Sequence, residues 1–69
     1  MLPSASSLLK SFLYYQRSLL ATNDTDKLAD LRQSLTANPR NTEALFELYE
    51  YYFDRKDYRK AQYYLKQVV

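Results

Sequence analysis

Residues 42–69, TEALFELYEYYFDRKDYRKAQYYLKQVV, decide the fold, because they read as two amphipathic helices folded back on each other. Leu45, Leu48, Tyr49 and Tyr52 recur at spacings of three and four, which places them along one face of a helix. Ala61, Tyr64, Leu65 and Val68 repeat that spacing in the segment that follows. Between them, Asp54-Arg55-Lys56-Asp57 is polar and short, the length expected of an antiparallel helix connection. Asn41 and Asp57 are the expected N-caps, since each side-chain oxygen can accept from an otherwise unpaired N–H of the first helical turn.

Upstream, Asn38-Pro39 closes an earlier helix, because proline lacks a backbone donor and restricts the residue before it. That helix carries Leu28, Leu31 and Leu35 on one face. Asn23 or Thr25 can cap it, with Asp24 and Asp26 at the favourable end of its dipole. A first helix is expected from near Ser4–Ser6 to about Ala21, with Leu8, Leu9, Phe12, Leu13, Tyr15 and Leu19 as a wide apolar stripe. The chain therefore reads as all-α: four antiparallel helices forming two helical hairpins. Residues 1–69 make one small domain, with a degenerate first hairpin over 1–38 and a clearer second over 41–69.

Composition removes several chemistries. With no cysteine and no histidine, disulfides, thiol catalysis, the usual zinc sites and histidine general-base catalysis are all excluded. The remaining carboxylates have no partner base and no glycine-rich phosphate loop exists, so neither an enzyme, nor a metal site, nor a cofactor is expected. A net charge of +2 is too small to imply a nucleic-acid or membrane partner. Leu8–Leu20, interrupted by Lys10, Ser11, Gln16 and Arg17, is too short and polar to span a bilayer. A cytoplasmic location is the expectation. The alternative is mitochondrial, because residues 1–22 are Ser-rich, basic and acid-free in the manner of a presequence.

Sliding the chain by 34 residues brings Phe12 onto Phe46, Tyr15 onto Tyr49, Leu19 onto Phe53 and Leu31 onto Leu65. Ser11 against Leu45 and Lys27 against Ala61 are mismatches in the same register. Over Asn38–Val69 the pattern resembles a tetratricopeptide repeat: Leu45, Leu48 and Tyr52 match its first helix, and Asp57-Tyr58, Ala61 and Leu65 its second. Pro39 stands where a preceding repeat would close. The chain departs from the family at Tyr49, where a small residue is usual, at Val68, and at Lys56, where glycine is usual. A left-handed Lys56 costs on the order of 1 kcal/mol. Asn23-Asp24-Thr25 formally matches a glycosylation acceptor but is better explained as a helix cap.

The resemblance implies a binding scaffold: an adaptor or chaperone-like subunit holding another polypeptide or a second copy of itself, with no small-molecule substrate. By position, Glu43, Phe46, Glu50 and Phe53 would face its groove, with Phe12 from the first copy. Glutamates there suit a basic or apolar segment rather than an acidic terminus. Tyr51 and Tyr63, off the core stripe, are interface candidates because tyrosine combines large contact area with a polar tip. Val68 belongs to an apolar end face with Tyr64 and Leu65. Helical repeats need about three copies for stability, so that face is expected either to be covered by another chain or to continue into further repeats. Self-association is the alternative function. Nucleic-acid binding through Arg55, Lys56, Arg59 and Lys60 is the weaker one, since Asp54 and Asp57 offset those charges.

Overall fold

Four N-caps, each satisfied by its own side chain, set where the helices begin. In the computed structural model, which describes residues 3–69, Ser4 Oγ accepts from the Ser7 N–H at 3.1 Å and opens α1 (Ala5–Leu20). Asn23 Oδ1 accepts from Asp26 N–H at 2.9 Å and opens α2 (Asp24–Ala37). Thr25, the alternative cap, lies inside that helix. Asn41 Oδ1 accepts from Ala44 N–H at 3.1 Å and opens α3 (Thr42–Asp54). Asp57 Oδ1 accepts from Lys60 N–H at 3.3 Å and opens α4 (Tyr58–Val68). Met1 and Leu2, the start of the presequence-like stretch 1–22, lie outside the described residues.

The turn between α3 and α4 is a Schellman motif. Asp57 N–H donates to Tyr52 O and Lys56 N–H to Phe53 O, both at 2.9 Å. Lys56 sits there at φ 62°, the left-handed conformation its place in the sequence predicts.

The architecture is all-α, with α1 packed on α2 and α3 on α4 as two hairpins, and a smaller joint between α2 and α3. Its Cα trace measures 35 × 28 × 12 Å. The short dimension is that of two packed helices, given interaxial distances of about 8–10 Å. Every helix thus keeps an outer face, and the core is small. Leu31, Ala44 and Leu48 form it, closed off from solvent, with Tyr15, Leu28, Leu35, Tyr52 and Tyr64 packed around them. Leu45 on α3 and Ala61 on α4 are buried as well. The joint is braced by two ion pairs, Lys27 with Glu47 at 3.4 Å and Arg55 with Asp24.

The first helix departs from its expected packing. Leu8, Leu9, Phe12, Leu13 and Leu19 are exposed, and the side chains buried on α1 are Ser11 and Ser18. Ser11 Oγ donates to the Ser34 carbonyl and Ser34 Oγ to the Ser11 carbonyl, each at 2.7 Å, with the two hydroxyls 3.1 Å apart. Asn41 Nδ2 then donates to both hydroxyl oxygens, at 2.8 and 3.1 Å. A side chain of two heavy atoms reaching the facing backbone requires closely approaching helices, and a leucine at either position would prevent it. The cluster is fully satisfied, which is the condition for a buried polar group to be tolerated; no buried side-chain N or O among the described residues lacks a partner.

Candidate functional site

Aromatic spacing on α3 builds a partly exposed row. Phe46, Tyr49 and Phe53 follow one another at three and four residues, with ring centroids 5.6 Å apart at both steps. Tyr58, at the start of α4, extends the row with an edge-to-face contact to Phe53 at 5.4 Å. Phe46 is 44% and Phe53 48% exposed, far more than core aromatics would be. Two shallow depressions flank the row. One, of about 260 Å³, lies among Tyr49, Phe53, Tyr58, Gln62 and Leu65. The other, of about 300 Å³, lies among Tyr15, Glu43, Phe46, Glu47 and Val68.

The α3 rim of this surface is acidic. Glu43, Glu47, Glu50 and Asp54 all lie on α3, which contains no lysine or arginine. Glu47 pairs with Lys27, whereas Glu43, Glu50 and Asp54 form no ion pair among the described residues. Their field is felt next door. Burial raises the Tyr15 phenol above its ordinary value of 10.0, and the Glu47 and Glu43 carboxylates push it further the same way.

The sequence candidates therefore divide. Glu43, Phe46 and Val68 meet around one depression, and Phe53 joins them through the ring row. Glu50 is exposed on the same helix. Tyr51 and Tyr63 belong to a different chain of rings: Tyr51 edge-on to Tyr52 at 5.0 Å, Tyr52 stacked on Tyr64 at 5.8 Å, and Tyr63 edge-on to Tyr64 at 5.0 Å. Tyr51 is half-buried, and the Arg55 guanidinium covers its ring at 3.7 Å from the centroid. Tyr63 remains exposed at the end of that chain. Phe12 is exposed on α1, apart from both depressions.

Tyr49 and Tyr58 were missed as candidates, and Leu65 was read only as part of the end face, although Tyr49 and Leu65 fit the helical spacing. Their spacing suits a core stripe equally well, and only the absence of a covering helix separates the two roles. On α1 only Phe12 was singled out, and the exposure of Leu8 and Leu13 beside it went unread for a related reason. Ser7, Ser11 and Ser18, spaced four and seven, were the available sign that serines occupy its inner side.

The basic turn is partly engaged within the chain. Arg55 contacts Asp24, and Lys60 lies 3.9 Å from Asp57 and 5.2 Å over the Tyr52 ring. A depression of about 500 Å³ sits elsewhere, at the α1–α2 turn beside Arg17, Asp26 and Asp30. It is wide and polar and gathers no catalytic grouping. Among the described residues no cluster of three acidic side chains could hold a metal ion, and no helix is long and apolar enough to cross a membrane.

Compared with family models, with curated proteins and with solved structures, the chain matches none.

Proposed function

We propose that this chain is a polypeptide-binding module, an adaptor or chaperone-like subunit built from two hairpins of tetratricopeptide type. It takes a basic, amphipathic or apolar segment on the α3–α4 surface. The observation that carries this reading is the row of exposed Phe46, Phe53 and Tyr58 with half-buried Tyr49 between them, beside the carboxylates Glu43, Glu50 and Asp54, which form no ion pair among the described residues. Aromatic rings contribute contact area without a large loss of side-chain freedom, and they dominate the energetics of such interfaces. Rim carboxylates select a cationic partner and steer its approach more than they add affinity.

A panel of basic amphipathic, apolar and acidic peptides, titrated against the labelled chain by fluorescence anisotropy, tests the proposal. Basic and apolar peptides are expected to bind with Kd values on the order of 1–100 μM. Only the basic ones should weaken as salt is raised. F46A/F53A should weaken binding by about tenfold or more. Equal binding of acidic peptides, or indifference to F46A/F53A, would remove this surface from consideration.

A further inference from the structure

The exposed α3–α4 surface has an internal counterpart. At the 34-residue offset its Tyr49 and Leu65 correspond to Tyr15 and Leu31, and those two residues hold α3 in place by packing with Ala44 and Leu48. The first hairpin uses this surface to receive a helix; the second presents the same kind of surface to solvent. Its natural occupant is therefore a helix.

One helix of this chain lacks cover on its outer side and carries the charge the α3 rim requires. On α1, Leu9, Phe12, Leu13 and Leu20 are all exposed, Leu20 at 82%. Lys10 and Arg17 flank Leu13 and Tyr14 around a depression of about 260 Å³, and Arg17, 3.9 Å from Asp30, still keeps 69% of its side chain exposed. There is no acidic residue anywhere in Ala5–Leu20 and no basic residue in Thr42–Asp54. Pairing α1 with another α1, or α3 with another α3, would oppose like charges. Pairing α1 with α3 opposes unlike ones.

We infer that the α3–α4 surface of one copy receives α1 of a second copy of this chain, with Lys10 and Arg17 against the Glu43, Glu50 and Asp54 rim. This rests on the polypeptide-binding reading and names the polypeptide. The orientation follows from α4, on which the exposed Arg59 and Lys66, seven residues apart, share one helix side. The cationic side of α1 must turn toward α3 and its neutral side toward α4. Because donor and acceptor surfaces differ, the contact closes into a dimer if two chains exchange α1 reciprocally and extends into a chain of copies if they do not.

Light scattering of the full chain over a concentration series decides it, using wild type, K10E/R17E and E43K/E50K. All four positions are exposed, and circular dichroism of each variant confirms that helix is retained. Wild type should assemble at tens of micromolar, on the order expected of a modest interface. Each double reversal should move the midpoint about tenfold upward, and an equimolar mixture of the two variants should restore it. A wild-type monomer at about 100 μM overturns the inference. So does loss of assembly in K10E/R17E with none in E43K/E50K, which would mean α1 pairs with α1. The converse pattern overturns it as well. A monomeric wild type that still binds basic peptides through Phe46 and Phe53 sinks the second copy and leaves the peptide-binding reading intact. A monomer that binds none sinks both.

Discussion

Ser11 stands opposite Leu45 at the 34-residue offset, and read against a repeat it is a mismatch. In the fold it is buried, and its hydroxyl completes the bonds that join α1 to Ser34 and Asn41. A leucine there would have to push the two hairpin helices apart. Ser11→Leu is expected to destabilise by about 1–3 kcal/mol, the usual cost of overpacking a tight contact, measured as a fall in the urea midpoint. A neutral result would mean that the α1–α2 contact yields without loss. Lys56 presents the opposite case, a strained residue whose relief is available. It is exposed at φ 62°, and Lys56→Gly is expected to stabilise by roughly 0.5–1 kcal/mol, part of the left-handed penalty being offset by the entropy of an unfolded glycine. An unchanged or lower melting temperature would show that the turn carries no strain worth removing.

At the scale of elements, the helix boundaries were almost wholly readable, because caps and breakers act over three or four residues of chain. Asn41 and Asp57 are where the caps fall, and Asn38-Pro39 ends α2 as its chemistry requires. The two caps differ in weight, which local reading does not convey. Asp57 is half-exposed and caps one turn, so Asp57→Ala is expected to cost about 1 kcal/mol. Asn41 is buried and also donates to Ser11 and Ser34, so Asn41→Ala should cost about 2–3 kcal/mol, from a lost cap plus hydroxyl oxygens left without their donor. Chemical denaturation of both variants checks the ranking. Equal losses would mean that the buried cluster contributes nothing beyond the cap. The inner face of α1 was less legible. Leucines outnumber serines along α1, and hydropathy alone directs the leucines inward.

At the scale of the molecule, two hairpins in a slab 12 Å deep leave little interior. Two tyrosines packed around the core, Tyr15 and Tyr64, hold their phenolic protons more tightly than a free side chain does. Burial raises the Tyr15 and Tyr64 phenols above 10.0, the Glu47 and Glu43 carboxylates adding to the first and neighbouring Tyr52 and Tyr63 to the second, against a lowering by Arg32. The sign follows from linkage: a phenol that holds its proton more tightly in the native state contributes fully below its unfolded value, and that contribution is lost as pH climbs through the raised native one. Stability should therefore fall from about pH 10 upward. Tyr15→Phe and Tyr64→Phe should each flatten that fall in urea titrations repeated across alkaline pH. An equally steep fall in both variants would place its origin in other groups.

Sequence alone determined the number of helices, where they start and stop, and their pairing into hairpins. Each of these depends on short-range chemistry: periodicity, a cap, a proline, a connection of a few residues. What tertiary structure decided is which face of each helix is inside. Leu45 and Leu48 are buried whereas Leu9 and Leu13, of the same type, are not. The difference lies in what is packed opposite, and no side chain encodes that by itself. For the same reason the exposed ring row of α3 is distinguishable from a core stripe only once the position of every other helix is known.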